Sequence, residues 1–472
     1  MSEKNAITPQ VGERGDPGMK TPPDSDSLSR QDSRELHEVF RVDGQVEYRT
    51  ISWQRLIIIL LKVTVATGIL GIPGSMGSLG AVPGTLLIVG WLTVNTYTAC
   101  LAIGFRNKHP ECHTVVDLCG VMWGRVGREL VGIMFVVAYI LCCGSGLLAI
   151  SIAFNALSDH GACSVWFSFA ATVMIVMYSC IRTWNGMTWP MTLGFISVMA
   201  GILAVVVGVT MRDRPAAAPQ TGPYELGFYV VAHPTFSTGI TAVATIFAAT
   251  SVGPGYIPVV AEMRRPQDFK KGVIPVCFIT GAIYISCSLV VYYYCGVWIA
   301  TPSLGSAGPT IKKIAYGIAL PSLVVSGGIF NHTSAKYVFV RVLRGSRHFQ
   351  TNTWQHWSVW IGLNVVLGML AFIFAAAIPV FNYILALTGS VCFAPMALIF
   401  PPMMWMYEDG KIWLTRGWKG KLWYGFHVLI TAVGFFLVVG GTYGTAQSIK
   451  ATYDASANVA FSCRDNSNTV AT

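Results

Sequence analysis

Two ionisable side chains lie inside runs of apolar residues, where a charge is costly. Lys62 follows six consecutive Leu and Ile residues, and His332 lies near the middle of another long apolar run. An ionisable group inside a membrane span is by default a candidate for binding or proton transfer. Lys62 could instead extend its ammonium to the membrane surface, and His332 could be a hydrogen-bonded structural histidine. The sequence leaves these alternatives open.

Two apolar runs are interrupted near their middle by glycine, proline and hydroxyl residues. Residues 67–75 read Thr-Gly-Ile-Leu-Gly-Ile-Pro-Gly-Ser, and residues 250–258 read Thr-Ser-Val-Gly-Pro-Gly-Tyr-Ile-Pro. Proline removes a backbone donor and clashes with the preceding turn, whereas glycine lets the chain leave a helix at low cost. Each interruption therefore predicts a break in a helix.

The spacing of the two interruptions is more informative than either one alone. They lie roughly 180 residues apart, each in the first of five consecutive apolar segments. Two unrelated proline kinks are the alternative. Interrupted segments at corresponding positions of two halves are the best sequence sign of a midplane binding site in a secondary transporter. We therefore expect both breaks to line one site.

The charges near the breaks indicate what such a site could bind. The N–H groups at a helix N-terminus suit a carboxylate, and exposed carbonyl groups suit an ammonium group or a cation. No Asp or Glu lies deep within an apolar segment, because Glu129 and Glu262 lie at segment ends. A zwitterion fits this combination better than a strongly cationic solute.

The composition indicates that these segments lie in a membrane. Apolar residues make up 53% of the 472 residues and charged residues only 11%, whereas soluble domains carry roughly 25% charged residues. A helix needs about 20 apolar residues to cross the hydrocarbon core. Eleven segments reach this length, which predicts an all-α polytopic membrane protein. The segments are 55–76, 81–105, 129–154, 163–182, 188–211, 237–262, 272–298, 314–341, 355–377, 379–404 and 423–446.

The basic residues predict the orientation of these segments. Loops on the same side as the N-terminus hold sixteen Lys and Arg residues, and the opposite side holds six. Because cytoplasmic loops are enriched in Lys and Arg, we expect a cytoplasmic N-terminus and an outside C-terminus. The net charge of +10 then reflects contact with anionic lipid, and no nucleic-acid partner is predicted.

The predicted membrane domain covers 51–450, with helices 1–5 in 55–211, helices 6–10 in 237–404 and helix 11 in 423–446. Residues 1–50 are rich in Ser, Pro, Asp and Glu, which predicts a disordered cytoplasmic tail. We expect 451–472 to form a short, loose tail on the opposite side. Cys163 and Cys463 both fall on that side and could form a disulfide, but we expect them to remain unpaired.

These features favour a secondary active transporter that works by alternating access. No Walker A motif is present, so ATP hydrolysis by this chain is not expected. A membrane-embedded enzyme would need acidic, histidine or metal-binding residues that converge at one depth, and the positions of Asp and Glu argue against it. No cofactor is predicted. A nutrient sensor that keeps a transporter fold and a carrier of another small solute remain alternatives.

Thr333 and Ser334 directly follow His332 and add two hydroxyl groups to the same segment. They could supply oxygen atoms near Lys62, or they could donate to carbonyl groups of their own helix. In the first case Lys62, His332, Thr333 and Ser334 form an ion-coupling site, where the ammonium replaces a bound sodium ion. Burial favours the neutral form of an amine, so loss and gain of a proton at Lys62 would couple transport to a proton gradient.

At these residues the sequence resembles the amino acid/auxin permease family, and within it the fungal neutral amino acid permease branch. The resemblance covers roughly residues 40–450 and rests on residues 62–75, on 250–269 and on 331–344. It implies a leucine-transporter-like fold of eleven helices, in which helices 1–5 and 6–10 are inverted repeats and helices 1 and 6 are broken.

The resemblance also implies proton-coupled symport of neutral aromatic or aliphatic amino acids across the plasma membrane, with sodium as the less favoured ion. The implied substrate-binding residues surround the two breaks, the first four receiving the carboxylate. They are Thr67, Gly68, Ile69 and Gly71, with Ala249, Thr250, Ser251 and Gly253 on the other side. Residues 250–255 are less bulky and aromatic than in many relatives, which leaves the size of the substrate open.

Overall fold

The structure is a computed structural model, which describes residues 51–65, 68–182, 184–251, 255–343, 346, 353–378, 380–454 and 460–467. The predicted tail 1–50 lies outside these residues, as do Thr67 and Gly253 of the predicted site. Within the described ranges there is no β-strand, only one isolated bridge between Ile51 and Met263.

Helices account for most of the described residues, and we number them in chain order. They are α1 (Trp53–Thr64), α2 (Ile72–Leu79), α3 (Ala81–Lys108), α4 (Val115–Ser158), α5 (Ser164–Ser179), α6 (Trp184–Thr210), α7 (Phe236–Thr250), α8 (Tyr256–Ala261), α9 (Phe269–Cys295), α10 (Pro309–Val342), α11 (Trp354–Ala377), α12 (Phe381–Leu387), α13 (Phe400–Glu408), α14 (Gly410–Leu414) and α15 (Trp418–Asp454). Two π-helical turns, Thr388–Phe393 and Pro395–Ile399, connect α12 with α13.

Nine helical stretches in the described part of the chain are long and apolar enough to cross a membrane, and α5 and α7 are shorter apolar helices. The prediction of an all-α polytopic membrane protein is therefore confirmed. The number of eleven spans stays a prediction.

Polar side chains at the ends of loops begin several of these helices. Ser52 caps α1, and Thr114 and Asp117 form a reciprocal capping box at the start of α4. Thr235 and Thr353 accept backbone N–H groups at the starts of α7 and α11. Such caps satisfy N–H groups that have no partner within the helix.

The helix α4 begins earlier than predicted, at Val115 rather than near residue 129. It contains a kink at Gly124, where φ is 64° and ψ is −151°. Glycine adopts this conformation without a steric penalty. The hydropathy pattern detects only the apolar part that follows the kink.

The helices pack into two groups. The site group consists of α1, α2, α3, α7 and α9, in which α9 packs against α1, α2 and α3, and α7 packs against α2 and α3. The support group consists of α4, α5, α10 and α11, each in contact with the others. The helix α6 packs along α10, and α15 packs along α7. The two interruptions therefore belong to one group, and Lys62 faces the other.

The C-terminal tail differs from its prediction in two respects. The helix α15 continues to Asp454, and the described residues 460–467 pack against helices instead of being loose. Cys163 and Cys463 form a disulfide across 300 residues of sequence. The prediction that they remain unpaired was wrong, because the sequence predicts that both lie on one side but does not show that folding brings them into contact.

Candidate functional site

The two interruptions lie side by side. The helix α1 ends at Thr64 and is followed by a 3-10 turn at Gly68–Leu70, while α7 ends at Thr250. A Cβ atom built on Gly68 would lie 2.8 Å from Cα and 3.0 Å from Cβ of Ala249. Only a residue without a side chain permits this contact between two backbones. The predicted residues Gly68 and Ala249 are thus brought together.

Tyr284 on α9 joins the ends of both interrupted helices. Its side chain is fully buried, and its hydroxyl oxygen lies 2.6 Å from the carbonyl oxygen of Thr64 and 3.0 Å from that of Ala249. Carbonyl groups in the last turn of a helix lack partners within it, so the hydroxyl supplies a donor that both ends share. The sequence analysis did not identify Tyr284, because one more aromatic residue in an apolar span carries no recognisable signal.

The predicted substrate-binding residues Ile69, Gly71 and Thr250, which the structure describes, lie around this contact. Ile69 is buried, and the Thr250 hydroxyl donates to the carbonyl of Ile246 at 2.9 Å. A Cβ atom on Gly71 would lie 3.0 Å from Oδ1 of Asn382, at the start of α12. That Oδ1 atom is buried and has no hydrogen-bond partner among the described residues. Asn382 is a second polar residue at the interruptions that the sequence analysis missed.

A small cavity adjoins both helix ends and is bounded by α1, α3, α7 and α9. Thr64, Thr250 and Ser251 line it from the interruptions, and Asn95 and Thr280 line it from α3 and α9. The side-chain polar atoms of Asn95 and Thr280 are buried without partners among the described residues. None of the residues that line this cavity is charged.

Lys62 is fully buried in α1. Its ammonium nitrogen lies 2.6 Å from Oγ of Ser322, 2.9 Å from Oγ of Ser326 and 3.3 Å from the carbonyl oxygen of Ser322. These oxygen atoms all belong to α10, so the side chain points into the protein. The geometry excludes the alternative of a lysine that reaches the membrane surface.

Gly194 of α6 completes the surroundings of the ammonium group. A Cβ atom there would lie 3.2 Å from Cε and 3.5 Å from Nζ of Lys62. The lysine therefore lies where α1 of the site group meets α6 and α10. Its ammonium group is bound at this boundary by neutral oxygen atoms of α10.

Thr333 and Ser334 do not supply the oxygen atoms near Lys62. The hydroxyl of Thr333 donates to Ile329 at 2.7 Å, and that of Ser334 donates to Asn331 at 2.9 Å, both within α10. Of the two alternatives that the sequence left open, donation to carbonyl groups of their own helix therefore describes these hydroxyls. Seven residues separate Ser326 from Thr333, which is roughly 10 Å along a helix. The hydropathy pattern could not determine which turn of α10 faces Lys62.

His332 is fully buried among aromatic rings. Its Nδ1 atom lies 3.2 Å from the carbonyl oxygen of Ser179. The ring centroids of Trp184 and Trp360 lie 5.5 Å and 5.3 Å away, in edge-to-face geometry. These contacts connect the ring to the ends of α5 and α6 and to α11, while its Nε2 atom is buried without a partner among the described residues. A role of His332 in ion coupling stays a prediction.

Most of the chain is similar to a known protein family. Residues 49–447 match the family model described as transmembrane amino acid transporter protein. The chain belongs to this family. The protein is accordingly a multi-pass membrane transporter, and the family resemblance found in the sequence is confirmed.

Three curated relatives are similar to the transporter over most of its length. A transmembrane transporter of Gibberella moniliformis is 48% identical over 436 residues, covering 92% of each chain. A transmembrane transporter of Fusarium pseudograminearum is 47% identical and covers 92% of this chain and 91% of the relative. The N amino acid transport system protein of Neurospora crassa is 29% identical, covering 87% of this chain and 88% of the relative.

Among solved structures, a sodium-coupled sialic acid symporter in a substrate-bound outward-open state has a similar fold. It matches with a TM-score of 0.52 and 11% identity, covering 88% of this chain and 95% of the symporter chain. At this identity the similarity concerns the fold alone. The predicted leucine-transporter-like fold class is confirmed, while the broken helices 1 and 6 stay a prediction.

Replacing Tyr284 with phenylalanine tests its contact with both helix ends. Removal of the hydroxyl leaves two buried carbonyl groups without their donor, at a cost of about 1–3 kcal/mol. We expect transport to fall about tenfold with unchanged abundance in the membrane. Tyr293→Phe on the same helix is the matched control, because Tyr293 is 60% exposed. Equal transport by the two variants would show that the hydroxyl does not position the site.

Proposed function

We propose that the transporter carries neutral amino acids into the cell together with protons. The observation that carries this proposal is the contact of the two interruptions at Gly68 and Ala249, which borders a cavity whose described lining residues are uncharged. The substrate carboxylate would bind the backbone between Gly68 and Gly71. The substrate ammonium would bind near the ends of α1 and α7, where helix dipoles place partial negative charge. No side-chain charge is then needed for a zwitterion.

The relatives support an amino acid as the substrate. The Neurospora crassa relative is named for amino acid transport, and the family model describes amino acid transporters. A cationic amino acid would place a second positive charge in surroundings that offer only neutral groups, which is unfavourable. We therefore favour neutral substrates. A carrier of another small solute and a sensor that keeps this fold remain the competing functions.

Lys62, held by Ser322 and Ser326, is the proposed coupling residue. Its fixed ammonium lies between the site group and the support group, where its charge binds three oxygen atoms of α10. Loss of the proton would weaken these contacts and let α1 move relative to α10. A resident ammonium would also leave no room for a separate cation among the same oxygen atoms. We therefore favour protons over sodium as the coupled ion, and Thr333 and Ser334 have no direct role in this proposal.

We further propose a cytoplasmic N-terminus, an outside C-terminus and a plasma-membrane location. The distribution of Lys and Arg supports this orientation. The Cys163–Cys463 disulfide supports it independently, because disulfides persist in oxidising compartments and are rare in the cytosol. In the predicted alternation of spans, the disulfide and the beginning of α1 lie on opposite sides of the membrane.

An ion pair joins the two helix groups on the proposed cytoplasmic side. Glu262 directly follows α8, and its Oε1 atom lies 3.2 Å from Nζ of Lys336 on α10. The N–H of Ile51 donates to the carbonyl of Glu262, and Arg264 N–H donates to that of Ile51. The start of α1 is thus attached to the end of α8, and the ion pair connects both to the support group. We propose that it breaks when the cytoplasmic side opens.

Exchanging the charges of this ion pair tests its role in opening. Glu262→Lys alone places two positive charges next to each other, and we expect transport to fall about tenfold. The double variant Glu262→Lys with Lys336→Glu should recover at least about half of the activity. Steady-state uptake at matched surface abundance measures both. Equal loss in the single and double variants would show that the pair does not act as a gate.

Uptake in a permease-deficient yeast strain tests the proposed function. The strain expressing this protein receives a panel of radiolabelled neutral, acidic and basic amino acids at outside pH 5 and pH 7.5, with and without sodium. We expect saturable uptake of neutral amino acids that rises at pH 5 and ignores sodium. Uptake of none of them, with the protein detected at the surface, would favour another solute or a sensor.

A further inference from the structure

The C-terminal tail forms a strap across the outer ends of the support group. We define the strap as residues 460–467, which follow α15. The N–H of Phe461 donates to Ala376 at the end of α11 at 3.0 Å, and Ser164 at the start of α5 donates to the carbonyl of Arg464 at 2.5 Å. The strap therefore contacts at least two helices besides the one that carries it.

Two buried polar side chains bind the distal part of the strap. Asn155 of α4 is fully buried and donates from Nδ2 to Oδ1 of Asn466 at 2.7 Å. Lys312 of α10 is also buried, and its ammonium donates to the carbonyl oxygen of Ser467. A buried ammonium or amide is costly unless it has such partners. The strap thus completes the hydrogen bonding of α4 and α10.

The strap is also the continuation of a helix that contacts the site group. Ser237 near the start of α7 donates to the carbonyl of Gly444 on α15 at 2.8 Å. The end of α15 is attached to α11 and α12, because Tyr453 donates to Ala377 and Tyr383 contacts Thr452. Through α15 the strap connects the outer end of α7 to all four support helices.

One covalent bond fixes this arrangement. Cys463 is exposed and Cys163 is half-buried, so the disulfide lies at the protein surface. The other cysteines in the described ranges are unpaired, and many of them are buried. Among the described residues, the disulfide of the strap is therefore the only covalent cross-link that a thiol could break.

We propose that the Cys163–Cys463 disulfide is a thiol–disulfide exchange site on the outer face that sets the transport rate. A small dithiol attacks one sulfur and forms a mixed disulfide, which its second thiol then resolves. The dithiol is oxidised to a disulfide, and Cys163 and Cys463 are reduced, each sulfur taking up one proton. The strap then loses its covalent attachment to α5.

The expected consequence follows from the two helix groups. Alternating access requires one group to move against a rigid partner. A strap without its covalent bond is held to the support helices by hydrogen bonds alone, so their outer ends are less firmly joined. We expect the maximal rate to fall about threefold or more upon reduction. The KM should change little, because no strap residue contacts the interruptions.

The test uses the full-length protein in proteoliposomes, and its transport readout rests on the proposed function. Dithiothreitol is added and removed, alkylation followed by mass spectrometry reports the thiols of Cys163 and Cys463, and amino acid uptake gives the maximal rate and KM. The variant with both Cys163→Ser and Cys463→Ser should transport like the reduced protein and ignore dithiothreitol. Cys287→Ser is the matched control, because Cys287 is unpaired and half-buried, and it should keep the full response.

Each result either supports or overturns the proposal that the disulfide of the strap sets the transport rate. A reversible loss of rate in the wild type and in Cys287→Ser, absent from the double variant, supports the proposal. Reduction of both cysteines without a change in rate overturns it, as does an equal response of the double variant. If the wild type takes up no amino acid, the proposed function fails, and hydrogen exchange of α15 and the start of α5 then decides. Faster exchange upon reduction supports the strap, and unchanged exchange overturns it.

Discussion

Gly68→Leu is expected to abolish uptake while the protein still reaches the membrane. A Cβ atom at this position would lie 2.8 Å from Cα and 3.2 Å from the carbonyl oxygen of Ala249, and both of these atoms belong to backbone that cannot move independently. Overpacking of this kind costs about 3 kcal/mol, which corresponds to roughly a 100-fold loss of rate. Radiolabelled uptake, normalised to surface abundance, measures the effect.

Gly90→Leu is the matched control for this substitution. Gly90 lies within α3, and a Cβ atom there would have no neighbour within 4 Å. The control adds the same side chain to a membrane helix at a position open to its surroundings, so we expect nearly normal uptake. Normal uptake by Gly68→Leu as well would remove the substrate site from the two interruptions.

Lys62→Met is expected to abolish proton-driven accumulation while exchange of internal for external amino acid continues. Methionine keeps much of the volume of the buried side chain but cannot bind or release a proton, and it cannot donate to Ser322 or Ser326. Net uptake at outside pH 5 should fall at least about tenfold to the level measured at pH 7.5. Counterflow in vesicles loaded with unlabelled substrate should keep most of its rate.

A control substitution and the retained exchange distinguish a loss of proton coupling from misfolding. Lys421→Met removes an exposed lysine near the start of α15, and it should leave both net uptake and exchange unchanged. Retained exchange in Lys62→Met shows that the variant is folded and binds substrate. If Lys62→Met instead keeps the full pH dependence of net uptake, Lys62 is a structural residue and the proton is carried elsewhere.

Much of the fold could be predicted because its physical causes lie in local composition. Long apolar runs have to become helices in a bilayer, because a helix forms its backbone hydrogen bonds within a single segment. The departures concern helix ends: α4 begins before its kink at Gly124, and α15 runs to Asp454, because short polar stretches do not register in a hydropathy pattern.

Part of the site could also be predicted from local sequence. Lys62 is an unusual residue in an apolar run, and the helix ends at Thr64 and Thr250 coincide with clusters of glycine, proline and hydroxyl residues. Both signals depend on residue types that are costly within a membrane helix. A residue that is unfavourable in its local surroundings therefore marked the site.

The remaining parts of the site depend on tertiary contacts. Tyr284, Ser322 and Ser326 are ordinary residues for their helices, and only the packing of α9 and α10 against α1 gives them a role. The same limit applies to the Cys163–Cys463 disulfide. The rotation and register of one helix against another, which are determined by packing over the whole interface, cannot be read from either sequence segment alone.

Uptake by purified protein in proteoliposomes tests the central claim most directly. Vesicles with an inside pH of 7.5 are diluted into buffer at pH 5.5 or pH 7.5 containing a radiolabelled neutral amino acid, with either sodium or potassium as the cation. We expect accumulation above equilibrium only with the inward proton gradient, independent of sodium and abolished by a protonophore. Accumulation driven by sodium without a proton gradient, or equilibration without accumulation under both gradients, would contradict the account.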